Sequence, residues 1–257
     1  MGTSREQRLS QAFVELAGTL VDDFDVVELL TTLSLHCVDL LGVRSSGVIL
    51  ADLEGNLHVI GASSEEGHEL DIREIQSGQG PCLDCYRTGL IQYTADLDTE
   101  TRWPLFAPAA RVLGYRSIHA LPLRLRGQVI GALNLMHTAP GRLPEDDLRT
   151  AQALADIATV GLFSHRQAVQ PARFTDQLLT ARTSRSHVER AVGIVAEHRR
   201  VDTATAFRAL RERSRRDGVR MSELAHDITR GDFDVAALAD LTDERDGRDH
   251  LSLIHIS

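Results

Sequence analysis

The sequence predicts an α+β domain with an antiparallel sheet flanked by helices, followed by a small all-α domain of three helices. Three observations support this order. Apolar residues recur at helical spacing near the N-terminus, alternate at a period of two between residues 47 and 136, and return to helical spacing after residue 173. Helices that precede and follow a group of short strands are typical of an α+β fold.

Two helices are expected between residues 5 and 41. Their apolar stripes run from Phe13 to Leu20 and from Val26 to Leu41, and Gly42 is placed to end the second helix. Two strands, residues 47–52 and 57–61, follow with turn residues between them. The sequence therefore predicts two helices and then a hairpin.

The next part of the chain, residues 63–114, is broken by glycines and prolines and predicts an irregular region. Two more strands are expected at 117–124 and 128–136, with Gly127 in the turn. Pro144 then starts a long helix with one apolar face. That face consists of Leu148, Ala151, Leu154, Ala155, Ile157, Ala158 and Leu162.

Three amphipathic helices are predicted between residues 173 and 231. Asp202 or Thr203 can cap the second helix, Ser222 can cap the third, and Gly231 can end it. The apolar stripes of the three helices are Val188, Ala191, Val192 and Val195; Ala206, Phe207 and Leu210; and Leu224, Ala225 and Ile228.

Landmarks within residues 9–166 resemble those of the GAF family. They are Gly80-Pro81-Cys82, Gly89, Asp96-Leu97, Trp103, Gly114-Tyr115-Arg116-Ser117, Leu121-Pro122-Leu123 and Ile130-Gly131-Ala132-Leu133-Asn134-Leu135. GAF domains sense small molecules or serve as dimerising modules. The resemblance implies such a role here and leaves the small-molecule ligand unspecified.

A second resemblance covers residues 184–197, 206–211 and 220–225, whose order and spacing are similar to the ANTAR family. ANTAR domains are three-helix RNA-binding modules of bacterial transcription antiterminators. Many members carry Lys just before the Gly of the first helix, where this chain has Val192 before Gly193. Either Val192 faces the core, or an RNA contact of the wider family is missing.

These resemblances divide the chain into five parts. Residues 1–166 form a GAF-like sensor and dimerisation domain, 167–172 a linker around Pro171, and 173–231 an ANTAR domain. Residues 232–250 hold seven acidic residues against two arginines and predict a mostly disordered acidic tail. Residues 251–257 look like a translated sequencing adapter and are left out of the fold prediction.

Arginines are concentrated in the predicted ANTAR domain. Residues 173–231 contain 13 Arg and 8 Asp or Glu in a chain of net charge −9, and all 28 basic residues of the chain are Arg. Such an unbalanced basic module indicates nucleic-acid binding, and a merely solvated face is the simpler alternative. Together with the resemblance, the sequence predicts RNA contacts at Arg185, Arg190, Gly193, Arg208, Arg211, Arg215, Arg216 and Arg220.

Cys82 and Cys85 form a C-x-x-C motif with three interpretations. It is half a zinc site, a thiol switch activated by a helix N-terminus, or a pair of packing residues. A zinc site needs about four ligands and the chain has no second such motif, so no metal is predicted. Trp103 and His119 are further candidates for sensing, and Trp103 also suits a core. Asn134 either contacts a ligand or satisfies a backbone group.

No membrane-length apolar stretch, signal pattern or catalytic motif is present, so a cytoplasmic, non-enzymatic bacterial protein without a cofactor is expected. The predicted function is a signal-responsive regulator that captures stem-loops of leader transcripts and promotes antitermination. Alternatives are a GAF-fold redox enzyme or thiol sensor using Cys82 and Cys85, and a DNA-binding regulator.

A homodimer is expected for two reasons. The apolar stripe from Leu148 to Leu162 exceeds what one sheet face needs, so it and the first helix can form a four-helix bundle with a second copy. A further stripe of Phe174, Leu178 and Ala181 either pairs with its copy or extends the first ANTAR helix. The alternative is a monomer whose terminal helices pack only on their own sheet.

Overall fold

The computed structural model describes residues 4–18, 25–52, 54–125, 127–168 and 171–238, without the side chains of 125, 163–180 and 182. The chain divides into two compact units, Met1–His187 and Val188–Ser257. The boundary between the units falls inside one helix, so that helix contributes residues to both.

The first unit is built on a five-stranded antiparallel sheet with strand order β2-β1-β5-β4-β3. The strands are β1 (Ser45–Ala51), β2 (Leu57–Ala62), β3 (Gln92–Thr94), β4 (Ser117–Leu125) and β5 (Gln128–His137). The helices are α1 (Arg5–Gly18), α2 (Val26–Leu41), α3 (Glu65–Ser77), α4 (Pro81–Thr88), α5 (Phe106–Val112), α6 (Glu145–Ala168) and the beginning of α7 (Pro171–Arg199). The predicted α+β class with an antiparallel sheet is confirmed.

Helices pack on both faces of this sheet, because successive strand residues point to opposite sides. Helices α3 and α4 contact one face, and α2 and α6 contact the other. On the first face, Ile49, Ala120 and Ala132 form a buried cluster with the cysteines of α4. Both faces are therefore covered by apolar side chains.

Helix α2 lies close against strand β2, and its boundaries follow from its capping residues. The Asp25 carboxylate accepts hydrogen bonds from the backbone N–H groups of Val27 and Glu28, and Gly42 ends the helix with a φ of 66°. A Cβ atom at Gly61 would lie only 2.6 Å from the backbone carbonyl of Leu30, so this position accepts only glycine without a shift of the helix. The predicted end of α2 at Gly42 is confirmed.

The region predicted to be irregular is more ordered than expected. Between residues 63 and 114 the structure contains α3, α4, β3 and α5. Helix α3 has an N-cap at Ser64 and ends at Gly78 in the left-handed conformation. The four longer strands agree with the prediction, and α4 is the short helix expected to begin at Cys82, whereas β3, α3 and α5 were not predicted.

Helix α6 buries its apolar face within the same chain. Five of the predicted stripe residues are at most 1% exposed and a sixth, Leu148, is 4% exposed; the five are Ala151, Leu154, Ala155, Ala158 and Leu162. The helix packs on β4, α1 and α2. The apolar stripe of α6 therefore extends beyond the sheet, but α1 and α2 of the same chain cover the rest of it.

The second unit contains the end of α7, α8 (Thr203–Asp217), α9 (Met221–Arg230) and a 3₁₀ turn at Val235–Ala237. Asp202 caps α8 by accepting a hydrogen bond from the Thr205 N–H. The N-cap of α9 is Arg220 and not Ser222, two residues earlier than predicted, and the helix ends at Gly231 as predicted. Its buried residues include Leu224, Ala225 and Ile228, which match the predicted stripe.

Two predicted segment boundaries fall in regions that the structure describes only in part. Helix α6 continues to Ala168 and α7 begins at Pro171, so both helix ends lie inside the predicted linker 167–172. The side chains of Phe174 and Leu178 lie outside the described set, as do residues 239–257 with the predicted adapter sequence. The first seven residues of the predicted disordered tail are ordered, and Leu238 is 3% exposed.

Candidate functional site

A buried polar cluster lies between α3 and the sheet in the first unit. Asp71, Glu74 and Asn134 are all 0% exposed. Asn134 Nδ2 donates a hydrogen bond of 2.8 Å to Asp71 Oδ1. Asn134 thus bonds a carboxyl group and neither of the two partners expected from the sequence. Burial raises the pKa of Asp71 to about 7, although the hydrogen bond from Asn134 and the charge of Arg185 act in the opposite direction.

Glu74 in this cluster serves as the cap of helix α4. The helix follows Gly80, which has no side chain to accept hydrogen bonds from the first turn. Glu74 Oε1 accepts them instead, from the backbone N–H groups of Cys82 at 2.6 Å and Leu83 at 3.0 Å. Burial raises the pKa of Glu74 well above its usual value, and Asp71 adds to that rise.

The two cysteines of the C-x-x-C motif are buried and not joined by a disulfide bond. Burial raises the pKa of Cys82 well above its usual value and that of Cys85 to about 12. The interpretation of Cys82 as a thiol activated by the helix N-terminus does not agree with this direction, because burial and the nearby Glu74 and Asp71 raise its pKa. These protonated thiols pack in an apolar cluster. In the described part of the chain, no group of three His, Cys, Asp or Glu residues is placed to hold a metal.

Trp103 and His119 are held by contacts within the first unit. Trp103 is 1% exposed in a cluster with Phe106 and Tyr115, and its Nε1 donates to Asp84 Oδ2 at 2.8 Å. The His119 ring stacks on Tyr93 with 5.5 Å between centroids, and its Nε2 accepts a hydrogen bond from the Leu143 N–H. Burial lowers the pKa of His119 to about 4, so the ring is neutral at physiological pH. Both side chains have structural roles in this unit.

A cavity of about 490 Å³ lies in the first unit among β2, α3 and the beginning of α7. Its lining residues are Leu57, His58, Val59, His68, Ile72, Ile75, Gln76, Thr183, Arg185 and Ser186. All of them precede residue 188, where the second unit begins. Sequence reasoning missed this site, because α3 was not predicted and the α7 segment is far along the chain from β2 and α3.

The predicted RNA-binding residues differ in exposure. Six of the eight are exposed, namely Arg190, Gly193, Arg208, Arg215, Arg216 and Arg220. Arg211 is only 7% exposed, because it lies on the same side of α8 as Phe207, Leu210 and Ser214, which are also buried. Arg185 is 4% exposed in the first unit. A phosphate contact requires an accessible guanidinium, so we leave Arg185 and Arg211 out of the proposed RNA-binding surface.

Helix α7 places Val192 and the next residue in different environments. Val192 is 8% exposed and belongs to the buried stripe with Val188, Ala191 and Val195. Gly193 is exposed. Of the two alternatives for Val192, the structure shows the core position.

Comparison with protein families gives two matches along the chain. The model of the GAF domain matches residues 25–162, and the model of the ANTAR domain matches residues 176–228. No curated protein matches the chain. None of the helices in the described ranges has both the length and the apolar character of a membrane span.

Solved structures share the fold of the first unit at low sequence identity. The GAF domain of a phosphoenolpyruvate-protein phosphotransferase from Acinetobacter is 16% identical, with 66% of this chain and 98% of that chain covered and a TM-score of 0.51. The free methionine-R-sulfoxide reductase of Neisseria meningitidis is 19% identical, with 66% and 96% covered and a TM-score of 0.51. The corresponding GAF domain from Coxiella burnetii is 13% identical, with 64% and 98% covered and a TM-score of 0.50.

Proposed function

The chain belongs to the GAF family and continues into an ANTAR domain, and from this architecture we propose a signal-responsive regulator that promotes transcription antitermination by capturing stem-loops in leader transcripts. Signal recognition is assigned to the GAF domain and RNA binding to the ANTAR domain. We place its action in the bacterial cytoplasm, where such transcripts are made.

The observation that carries this proposal is the set of exposed arginines in the second unit. Arg190 on α7, Arg208, Arg215 and Arg216 on α8, and Arg220 at the start of α9 are exposed. The Arg208 guanidinium donates to Thr205 Oγ1 at 2.9 Å, and that of Arg216 pairs with Glu212 at 3.3 Å. Surface contacts of this kind are weak, so these side chains can exchange them for phosphate contacts.

Arginine suits the recognition of RNA loops for two reasons. Its planar guanidinium donates two parallel hydrogen bonds to a phosphate, and it can also stack on an unpaired base. Captured stem-loops are held in the form of the transcript that excludes the terminator hairpin. On this proposal the signal controls transcription by altering how strongly the ANTAR domain holds the RNA.

We further propose that the protein acts as a homodimer. Val14 on α1 is 72% exposed and Val160 on α6 is 55% exposed, and these two helices pack against each other. Two copies joined through this helical surface would each bind one stem-loop. The second stem-loop would then bind at high effective concentration, which raises the affinity for paired stem-loops.

The proposal predicts RNA binding that weakens steeply with salt, because arginine–phosphate contacts release counterions. Replacing Arg208 and Arg215 together with Gln in the full chain should lower the affinity for stem-loop RNA. It should also reduce the slope of log affinity against log salt by about one unit per lost phosphate contact. Filter binding with stem-loop RNA and duplex DNA measures both quantities.

Arg73 and Arg149 provide a matched control for this double variant. Both are exposed in the first unit and form ion pairs on their own helices. Their joint replacement by Gln removes the same charge and should leave RNA affinity nearly unchanged. Equal losses in the two double variants would contradict a specific RNA-binding surface on α8. Tighter binding to duplex DNA than to RNA would favour a DNA-binding regulator.

A further inference from the structure

The cavity beside α3 has an apolar wall formed by residues of β2 and α3. Leu57, Ile72 and Ile75 line the cavity and also pack against the buried cluster that contains the two cysteines of α4. Val59 completes this apolar wall. A volume of about 490 Å³ lies in the range of small-molecule sites, whose lining is mostly apolar with a few polar groups. A ligand of this cavity must therefore have a mainly apolar body.

Several polar residues of the lining already have partners or face the solvent. His58 Nε2 lies 3.0 Å from Asp52 Oδ2, within hydrogen-bond distance. Arg185 and Thr183 also line the cavity, and both interact with other groups of the chain. Two further polar residues of the lining are exposed, namely Gln76 and Ser186. We therefore assign none of these residues to the ligand.

His68, which lines the cavity from α3, has a hydrogen-bonding atom that is not used within the chain. Its Nδ1 atom is buried and has no hydrogen-bond partner among the described residues. Burial lowers the pKa of His68 to about 4, and the charge of Arg185 acts in the same direction, so the imidazole is neutral at physiological pH. Each nitrogen of a neutral imidazole either donates or accepts, whereas a hydroxyl group does both. A hydroxyl group can therefore pair with Nδ1 in either tautomer.

We propose that this cavity binds an uncharged, mainly apolar alcohol or phenol, with its hydroxyl group at His68 Nδ1 and its hydrocarbon part on the apolar wall. A buried polar atom without a partner costs free energy, and a ligand that supplies the missing hydrogen bond recovers it. An uncharged ligand also suits a lining whose burial disfavours the charged form of His68. The inference rests on the proposed sensing function, since it names the chemical class of the signal.

The position of the cavity connects this ligand to the helix that both units share. Thr183 and Ser186 of α7 line the cavity, and α7 continues as far as Arg199. The second unit begins at Val188 in the same helix. A ligand in the cavity therefore lies against the helix that contributes to the RNA-binding unit, where a signal must act.

Calorimetric titration of the full chain with p-cresol and p-xylene tests the hydroxyl contact. The two probes have nearly the same shape, because p-xylene carries a methyl group in place of the hydroxyl. His68→Leu should lower the affinity for p-cresol relative to p-xylene by at least about 5-fold, since the hydroxyl of p-cresol then loses its partner. The anion 4-methylbenzoate should bind to the wild type at least about 10-fold more weakly than p-cresol, because burial of its carboxylate removes hydration.

Three variants locate the binding. Arg73→Leu is the matched control for His68→Leu, since it introduces the same side chain at an exposed position of α3 and should leave both affinities unchanged. Ile72→Trp enlarges a residue of the apolar wall and should block both probes. Ser186→Trp, at the exposed rim, replaces it if Ile72→Trp does not fold. Thermal unfolding checks each variant, and His68→Leu should not lower stability, because it replaces an unpaired buried polar atom by an apolar group.

Four outcomes would overturn the proposal. They are an unchanged affinity ratio of p-cresol to p-xylene in His68→Leu, p-cresol binding that survives the tryptophan variant, tighter binding of 4-methylbenzoate than of p-cresol, and no saturable binding of p-cresol. RNA binding by the same samples is measured in parallel. Absence of probe binding with RNA binding intact rejects the cavity alone, whereas absence of RNA binding rejects the proposed function.

Discussion

The carboxyl groups of Asp71 and Glu74 lie in the interior of the GAF domain, where an ionised carboxylate loses its hydration. Each has a specific partner: Asn134 donates to Asp71, and the first turn of α4 donates to Glu74. These hydrogen bonds only partly offset the cost of burial, so the pKa values of both groups are raised. The two acids therefore link the stability of the domain to pH.

Asp71→Asn should make stability less dependent on pH between about pH 5 and about pH 7. The pKa of Asp71 is about 7 in the folded protein and about 3.8 as a free side chain, so the folded state binds more protons in this interval. Stability of the wild type therefore falls as pH rises through the interval, by at most about 1.4 kcal/mol per pH unit for this group. The amide of asparagine does not titrate in this pH interval, so the variant lacks this contribution. Urea unfolding at several pH values measures the difference.

Ile60→Val is a suitable control for this experiment. The side chain is fully buried, so its truncation should lower stability by about 1 kcal/mol at every pH. Its curve should run parallel to that of the wild type. If the Asp71→Asn curve were also parallel, Asp71 would not be the group that links folding to protons.

The sequence predicted the role of a single residue correctly where that role depends on neighbours in the chain, as it does for helix caps. Gly42, Gly231 and Asp202 were recognised because caps depend on near neighbours in the chain. Asn134 was misassigned because its partner on α3 is 63 residues away. Arg211 was assigned to an exposed face because an arginine was expected in solvent, whereas its spacing from Phe207 places it on the buried side of α8.

At the level of whole elements, the missed helix α3 shows how a pattern of apolar residues can fail. Its buried residues include Asp71 and Glu74 together with Leu70. A sequence pattern places such acids on the solvent side, so the helical stripe of α3 is incomplete. Helix α6 was predicted because its stripe consists of leucine, alanine and isoleucine, whose burial needs no specific partner.

Gly193→Ala on helix α7 should stabilise the protein and weaken its binding to RNA. Among the described residues, nothing beyond the adjoining part of its own helix lies within 4 Å of the Cβ that would be added at Gly193. An alanine in an exposed helix interior is more stable than glycine by up to about 1 kcal/mol. Packing thus gives no reason for glycine, whereas the close approach of an RNA backbone, as proposed for this surface, would give one. Thermal unfolding and filter binding measure the two effects.

Ile194→Ala, the adjacent exposed position, provides the comparison for this variant. It removes side-chain atoms without adding any and should change RNA affinity little. Undiminished RNA binding by Gly193→Ala would exclude the proposed close approach at this glycine. A loss of stability would instead show that the glycine is needed for folding.

At the scale of the whole molecule, the homodimer can be tested through the two exposed valines on α1 and α6. Light scattering at micromolar concentration should give about twice the 28.3 kDa of one chain. Val14→Glu together with Val160→Glu should shift the protein to the monomer, because two charges per subunit would be buried in the interface. The dimer should also bind RNA with two stem-loops more tightly than RNA with one.

Val112→Glu is the control for the dimer variants, since Val112 is 86% exposed on α5. It introduces the same charge away from the proposed interface and should leave the dimer intact. A monomeric wild type that binds one-loop and two-loop RNA equally would exclude the dimer model. A dimer that persists in the double variant would place the interface elsewhere.

The ordered residues after Gly231 extend the folded unit beyond the region that the ANTAR family model matches. The family model of the ANTAR domain ends at residue 228, but the folded structure of the second unit continues to Leu238. The guanidinium of Arg199 donates to the carbonyl of Leu238, and that of Arg213 donates to the carbonyl of Ala237. A fragment cut at the family boundary would lose both acceptors and the buried side chain of Leu238. The family match therefore ends before the C-terminal residues that complete the folded unit.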